Sequence, residues 1–367
     1  MRTFPARLQT ALDATVADGA LGALAEARDD TSTYAMSSGV SQWGSHRPVD
    51  PAGHFRIGSV TKTFTATAVL QLVGDGALGL DDTVERWLPG LLADGNSITV
   101  RQLLMHTSGL YNYTEAWALS GALDTDVILS RRGLRVRPQN TVALAERHGA
   151  RFPPGTAVAY NNTGYILAGM VIERAAAMSY AEHVEQRILI PLRLTRTVVR
   201  DEDPHLPQPH AHGYLPAAGE PVDVSVFDRS TAWASGGIVS TARDVNEFFA
   251  GLLRGELLGA AQLRQMLTPT PWVTPATDSG LGLVRVHLPG GPAVWGKHGG
   301  FFGFDTFSFH APDASRQLTV SITTDTGRSP TTEQILRHFA FVFDQGPTPR
   351  RDKSGDGPTA GHHNQLS

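Results

Sequence analysis

The chain has 367 residues, of which 41% are hydrophobic and 18% charged, with a formal net charge of −4. That length can bury a full core in one large domain or two interleaved ones, and the slightly acidic balance offers no basic stripe for phosphates, which excludes nucleic acid as a partner. Cysteine is absent, so disulfides, thiolate nucleophiles and cysteine-held metals are excluded as well.

In chain order, residues 6–28 read as a helix and 31–56 as two or three short strands. The N-terminal stretch lacks an apolar segment followed by a small-residue cleavage site, and no window of about 18 apolar residues occurs later, so a cytoplasmic location and no membrane partner are expected. From Ser59 the segment SVTKTFTATAVLQLVGDG is apolar almost all the way round, the mark of a buried helix, with Gly74 or Gly76 as its end. Residues 98–109 read as a short helix capped by Thr99 and stopped by Gly109, and 140–150 and 163–190 carry further helical periodicity. The Pro-rich stretch 201–224 reads as a connecting loop. Strands follow at 281–288, 293–298, 305–310 and 317–324, with Pro289-Gly290-Gly291 and Pro312-Asp313 as turns. An amphipathic helix at about 331–345 would cover that sheet, and the polar residues 346–367 read as a disordered tail.

Only three of the 31 basic residues are lysines: Lys62, Lys297 and Lys353. Where a chain otherwise uses arginine, a retained lysine points to something arginine cannot offer, the clearest being the ability to lose a proton. Ser59-Val60-Thr61-Lys62 opens the buried helix, and positions i and i+3 share a helix face, so the amine can reach the hydroxyl. A lysine stripped of water has a lowered pKa and can take the serine proton. The Ser59 N–H can also receive a developing oxyanion. A second candidate is Tyr160-Asn161-Asn162: the phenol can relay a proton, and the Asn162 amide can bond a substrate carbonyl or Lys62. A third is His298-Gly299-Gly300, where the glycines leave room for substrate along a strand edge and the Phe301 N–H could serve as second oxyanion donor. Taken singly, each has an ordinary structural reading.

Together and in this order, Ser-x-x-Lys, Tyr-x-Asn and His-x-Gly resemble the DD-carboxypeptidase/class C β-lactamase family of penicillin-recognising serine enzymes and esterases. The flanking text FRIGSVTKTFTATAVLQLV, ITVRQLLMHTSGLYNYT, YNNTGYILAGMVIE, HAHGY and WASGGIVSTARDV shares the resemblance. It implies an α+β, β-lactamase/transpeptidase-like fold in one catalytic domain over residues 1–345. An antiparallel sheet flanked by helices would come from about 1–75 and 225–345, with a mainly helical region at about 76–224. It also implies that Ser59 is acylated while Lys62 and Tyr160 handle the proton, and that His298 stands where β-lactamases carry a lysine. Asn162, Trp233, Gly300 and Phe301 would contact the substrate, with no metal and no cofactor.

The pattern departs from members that cleave D-Ala-D-Ala peptides. Gly299 and Phe301 replace hydroxyl side chains, and Val284 takes the place of a carboxylate-binding arginine, with Arg285 facing the other side of its strand. Phe301, Phe302 and Phe304, with Trp233 and Trp295, suggest instead an apolar region suited to an ester, thioester or hydrophobic amide. The expected partners are a small-molecule or peptide acyl substrate and, for transacylation, a carrier protein or amine acceptor. Carboxypeptidase, β-lactamase and silent binding protein are the alternatives. The pair His210-x-His212 can chelate, but nothing nearby in sequence completes a metal set.

Overall fold

The computed structural model describes residues 3–344 apart from 30, 120–121, 272–276, 289–290 and 328–329. The predicted tail and the turn at Pro289-Gly290 fall outside the described residues.

Helix α1 runs over Phe4–Ala17, with proline in its first turn and Leu8, Ala11, Leu12 and Thr15 turned inward. It stops well short of residue 28. Asp18 is the cap, Gly19 takes φ 112°, and Gly22–Arg28 forms strand β1 instead. Alanine at 23, 25 and 27 gives this stretch a helix-like composition. Both its faces are buried in the sheet, however, and small side chains suit that position, so tertiary pairing overrides local propensity. Strands β2 (Thr33–Gly39) and β3 (Phe55–Arg56) follow. A turn of 3₁₀ helix over Gly58–Val60 then leads into α2, Thr61–Gly74, in which every residue from Thr61 to Leu72 is buried.

Helix α3 (Val100–Leu104) opens on a capping box between Thr99 and Gln102 and ends sooner than expected, at Met105. Helix α4 is Pro138–His148. The expected helix at 163–190 is broken: α5 (Thr163–Ala176) ends where Ala177 turns left-handed, and α6 (Tyr180–Val184) starts anew on a Ser179 cap. The 201–224 stretch carries only a short strand pair, Tyr214–Leu215 with Val222–Asp223. Next come β4 (Val239–Ser240), α7 (Ala242–Leu253), α8 (Ala260–Met266), β5 (Thr270–Pro271) and β6 (Thr277–Ser279). The C-terminal part supplies β7 (Val284–His287), β8 (Ala293–Phe301), β9 (Phe304–His310), β10 (Gln317–Thr323) and α9 (Thr332–Phe339).

Among the described residues the main sheet has the order β2-β1-β10-β9-β8-β7-β6-β5, so the two ends of the chain meet at β1 and β10. One face is covered by α1 and α9, with Leu8, Leu12, Phe307, Phe309, Ile322, Ile335 and Phe339 in one cluster. The larger cluster joins α2, α5 and α7. This is an α+β arrangement, an antiparallel sheet flanked by helices, as the sequence implied.

Helix α2 is held in its first turn by Phe64, whose ring stacks on Phe248 of α7 with centroids 3.6 Å apart. Truncating a buried aromatic costs about 3–5 kcal/mol, so Phe64→Ala is expected to lower the urea midpoint with the slope of the transition unchanged.

Candidate active site

Ser59 sits in the 3₁₀ turn and Lys62 one turn later in α2, which puts Lys62 Nζ 3.0 Å from Ser59 Oγ. Lys62 has no exposed surface. Its amine donates to Asn162 Oδ1 at 2.7 Å and to the Ser235 carbonyl at 2.6 Å. Burial first, and the nearby Lys297 charge second, push its pKa well below the usual lysine value. A neutral amine has two N–H groups and one lone pair. With both N–H groups on carbonyl oxygens, the lone pair is left for the Ser59 hydroxyl, the geometry a general base needs.

Tyr160 completes the set, its hydroxyl 2.5 Å from Ser59 Oγ. Part of the ring is exposed at the cleft mouth, but the hydroxyl end points inward. Loss of water there outweighs the Ser59 hydrogen bond and pushes the phenol up to about 12. It therefore holds its proton at neutral pH and is suited to donating it. Asn162 is pinned from behind: its Nδ2 donates to Asn112 Oδ1 and Thr114 Oγ1, both at 3.2 Å, so its carbonyl oxygen can only face Lys62.

Strand β8 passes directly over the Ser59 turn. A side chain on Gly299 would collide with Ile57 O and the Ser59 and Val60 amides, and one on Gly58 would lie 2.8 Å from Gly300 N. Both positions require glycine because backbone meets backbone. Strand β7 pairs with β8 only over Ala293–Gly296, so beyond Gly296 that edge is open toward Ser59. Residues along an antiparallel strand point their N–H and C=O alternately to the partner and away from it. Counting back from the Phe301–Phe304 pair that closes the β8–β9 turn, the Gly300 amide faces the open edge and the Phe301 amide faces β9. The amides at the Ser59 edge are thus those of Ser59 and Gly300, whereas the Phe301 amide, expected as the second oxyanion donor, faces β9.

The same alternation separates Lys297 from His298. Lys297 Nζ lies 5.6 Å from the Tyr160 ring centroid, and burial lowers its pKa to about 8. His298 turns to the opposite face, stacks on Phe307 at 4.4 Å and lies 3.2 Å from Asp305 Oδ1.

Ser59, Tyr160 and Gly300 stand where two lobes of a cleft meet. The smaller, about 370 Å³, is walled by Tyr113, Trp117, Tyr214, Phe301, Phe302 and Phe304. The larger, about 1110 Å³, extends past Lys297 and His298 toward Val284, Leu288 and α9. Trp233 lines neither lobe; its ring fills the space left by Gly169 and meets Tyr180 edge-on at 5.3 Å. Trp295 is likewise core, with Arg285 over its ring at 5.9 Å. Arg285 is bound to Asp278 at 2.7 Å and lines neither lobe. His212 is hydrogen-bonded to Asp223 at 2.6 Å.

A family profile described as Beta-lactamase matches residues 8–342. The chain belongs to the beta-lactamase family. That family is of the serine hydrolase type, and several solved structures are similar to this chain. A D-stereospecific amidohydrolase from Streptomyces sp. is 37% identical, with TM-score 0.84 and coverage of 91% of this chain and 98% of that one. D-amino acid amidase from Ochrobactrum anthropi SV3 is 27% identical, with TM-score 0.80 and coverage of 92% and 98%. Penicillin-binding protein 4* of Bacillus subtilis (strain 168) is 28% identical over 304 residues, which are 78% of this chain and 64% of that protein, so the match spans less than two thirds of that relative's length.

In this member of the beta-lactamase family it is Lys297, and not the expected His298, that lies against Tyr160, one residue earlier in the segment Lys297-His298-Gly299. The scarcity of lysine was the signal that could have found it. Asn112, Thr114 and the Ser235 carbonyl were not found from sequence, since each acts through a contact between distant segments.

An enzyme using a neutral Lys62 and a cationic Lys297 should acylate with a bell-shaped pH profile, rising as Lys62 loses its proton and falling near pH 8 as Lys297 does. Lys297→Met should slow labelling by a fluorophosphonate about 100-fold and remove the alkaline fall, whereas His298→Ala should stay within about fivefold and keep both limbs. The reverse pattern would restore His298 to the motif.

Proposed function

We propose that the chain is a serine amidohydrolase or acyltransferase that forms an acyl-enzyme on Ser59. Its acyl donor would be a small amide, ester or thioester of an amino acid with an aromatic or bulky apolar side chain. The observation that carries this reading is the Lys62 amine, with both N–H groups on carbonyl oxygens and its lone pair left for Ser59 Oγ, beside an aromatic lobe.

Lys62 takes the Ser59 proton as Oγ bonds to the acyl carbon. The resulting oxyanion accepts from Ser59 N–H and Gly300 N–H. When the bond to the leaving nitrogen or oxygen breaks, the Tyr160 hydroxyl supplies the proton it needs. The proton held by Lys62 then restores the phenol, and the Lys297 charge steadies the phenolate in between. Release repeats these steps with water or an amine as nucleophile.

Support for a D-configured substrate comes from the likeness to the D-stereospecific amidohydrolase and to D-amino acid amidase. A free terminal carboxylate has less support, because Arg285 is committed to Asp278 and an unpaired buried carboxylate is costly. Transfer to an amine acceptor is a second reading, favoured by the larger lobe beyond Ser59, which has room for a bulky incoming group.

Mass spectrometry of products decides between these readings. Wild type should hydrolyse D-phenylalanine amide faster than its enantiomer, and Ser59→Ala should lose both turnover and the fluorophosphonate adduct. Retained turnover in Ser59→Ala would end the acyl-enzyme reading. With D-phenylalanine methyl ester and an added amine, a dominant amide product would mark the enzyme as a transferase; acid alone would mark it as a hydrolase.

A further inference from the structure

We propose that His106 is a positioning residue that brackets Tyr160 and so sets the place of the hydroxyl beside Ser59. This rests on the reading that Tyr160 handles the proton of the acyl transfer.

His106 lies just past α3 with φ 60°, the left-handed turn that closes this helix: His106 N–H donates to the Leu103 carbonyl and Thr107 N–H to the Gln102 carbonyl. That turn brings two acceptors of one residue against the same stretch of chain. The His106 carbonyl accepts from Ala159 N–H at 3.0 Å, and its ring Nδ1 accepts from Asn161 N–H at 3.1 Å. The residue between those amides is Tyr160. The Tyr160 ring rests against the His106 imidazole with centroids 4.7 Å apart, and Tyr165 flanks the imidazole at 5.3 Å. The backbone on both sides of Tyr160 and one side of its ring are thus set by a single residue, itself 2% exposed.

An apolar side chain at 106 would fill the same space but would leave the Asn161 N–H without its acceptor. The ring must also stay neutral, because a protonated imidazole has no acceptor. Burial, with Lys297 and Lys62 nearby, keeps its pKa well below the usual histidine value. A displacement of about 1 Å at a reacting group is enough to cost orders of magnitude in rate, so the bracket bears chiefly on the maximal rate, and His106 itself lines neither substrate lobe.

Glycine and asparagine both accept a positive φ, but only asparagine offers a side-chain acceptor to the Asn161 amide. With a fluorophosphonate probe, folded His106→Gly should lose about 30- to 100-fold in maximal labelling rate while the half-saturating concentration changes less than about threefold. His106→Asn should recover to within about fivefold of wild type. A glycine variant as fast as wild type, or an asparagine variant as slow as glycine, would overturn the proposal. Independently of any variant's folding, ¹⁵N spectra of the wild-type histidines should show His106 neutral with its proton on Nε2; a proton on Nδ1 would overturn the bracket. Ser59→Ala labelling as well as wild type would instead defeat the acyl-enzyme reading on which the bracket depends.

Discussion

The whole site depends on one interaction: an amine with no exposed surface and, among the described residues, no carboxylate paired with it, shared among Ser59, Asn162 and the Ser235 carbonyl. A charged ammonium there would lack both water and a counterion, so the fold favours the neutral form. That preference leaves the amine a lone pair to direct at Ser59 Oγ. The three partners come from three parts of the chain, the α2 turn, the start of α5 and the short helix Trp233–Gly236. Each must be placed before the lysine can act, and the apolar packing of α2 against α5 and α7 is what places them.

The second constraint is the approach of β8 to the Ser59 turn. Gly58, Gly299 and Gly300 remove every side chain between the two backbones, which brings two amides to the same edge and leaves that edge unpaired for a substrate. Alternation along β8 then assigns roles without further machinery. Lys297 and Gly299 face the nucleophile, whereas His298 joins Asp305 and Phe307 on the other side. A single strand thereby supplies a buried lysine, a close approach and a free-edge amide within the four residues 297–300.

Aromatic residues divide between the two uses the sequence left open. Phe301, Phe302 and Phe304 wall the smaller lobe, while Trp233 and Trp295 are packed into the core. The difference follows from local geometry: the three phenylalanines sit at or beside the tight β8–β9 turn, where the sheet ends at the cleft, whereas Trp233 is drawn into the hole at Gly169.

Local chemistry made much of this legible in the sequence. The apolar run after Ser59 announced a buried helix, the i, i+3 spacing announced a serine–lysine contact, and the Thr99 cap and the strands from 293 onward stand close to where expected. The errors arose where local and tertiary preferences conflict. The alanines of Gly22–Arg28 favour helix in isolation, but a strand slot beside β10 holds them extended. The sequence by itself determined the family and the contact between Ser59 and Lys62, because those depend on residue type and short spacing. Only the tertiary structure decided that Lys297 rather than His298 faces Tyr160, that Gly300 rather than Phe301 turns its amide to Ser59, and that His106 lies beneath Tyr160. Each of these depends on which side of a strand or turn a group points to once distant segments have packed, and a register error of one residue reverses that side.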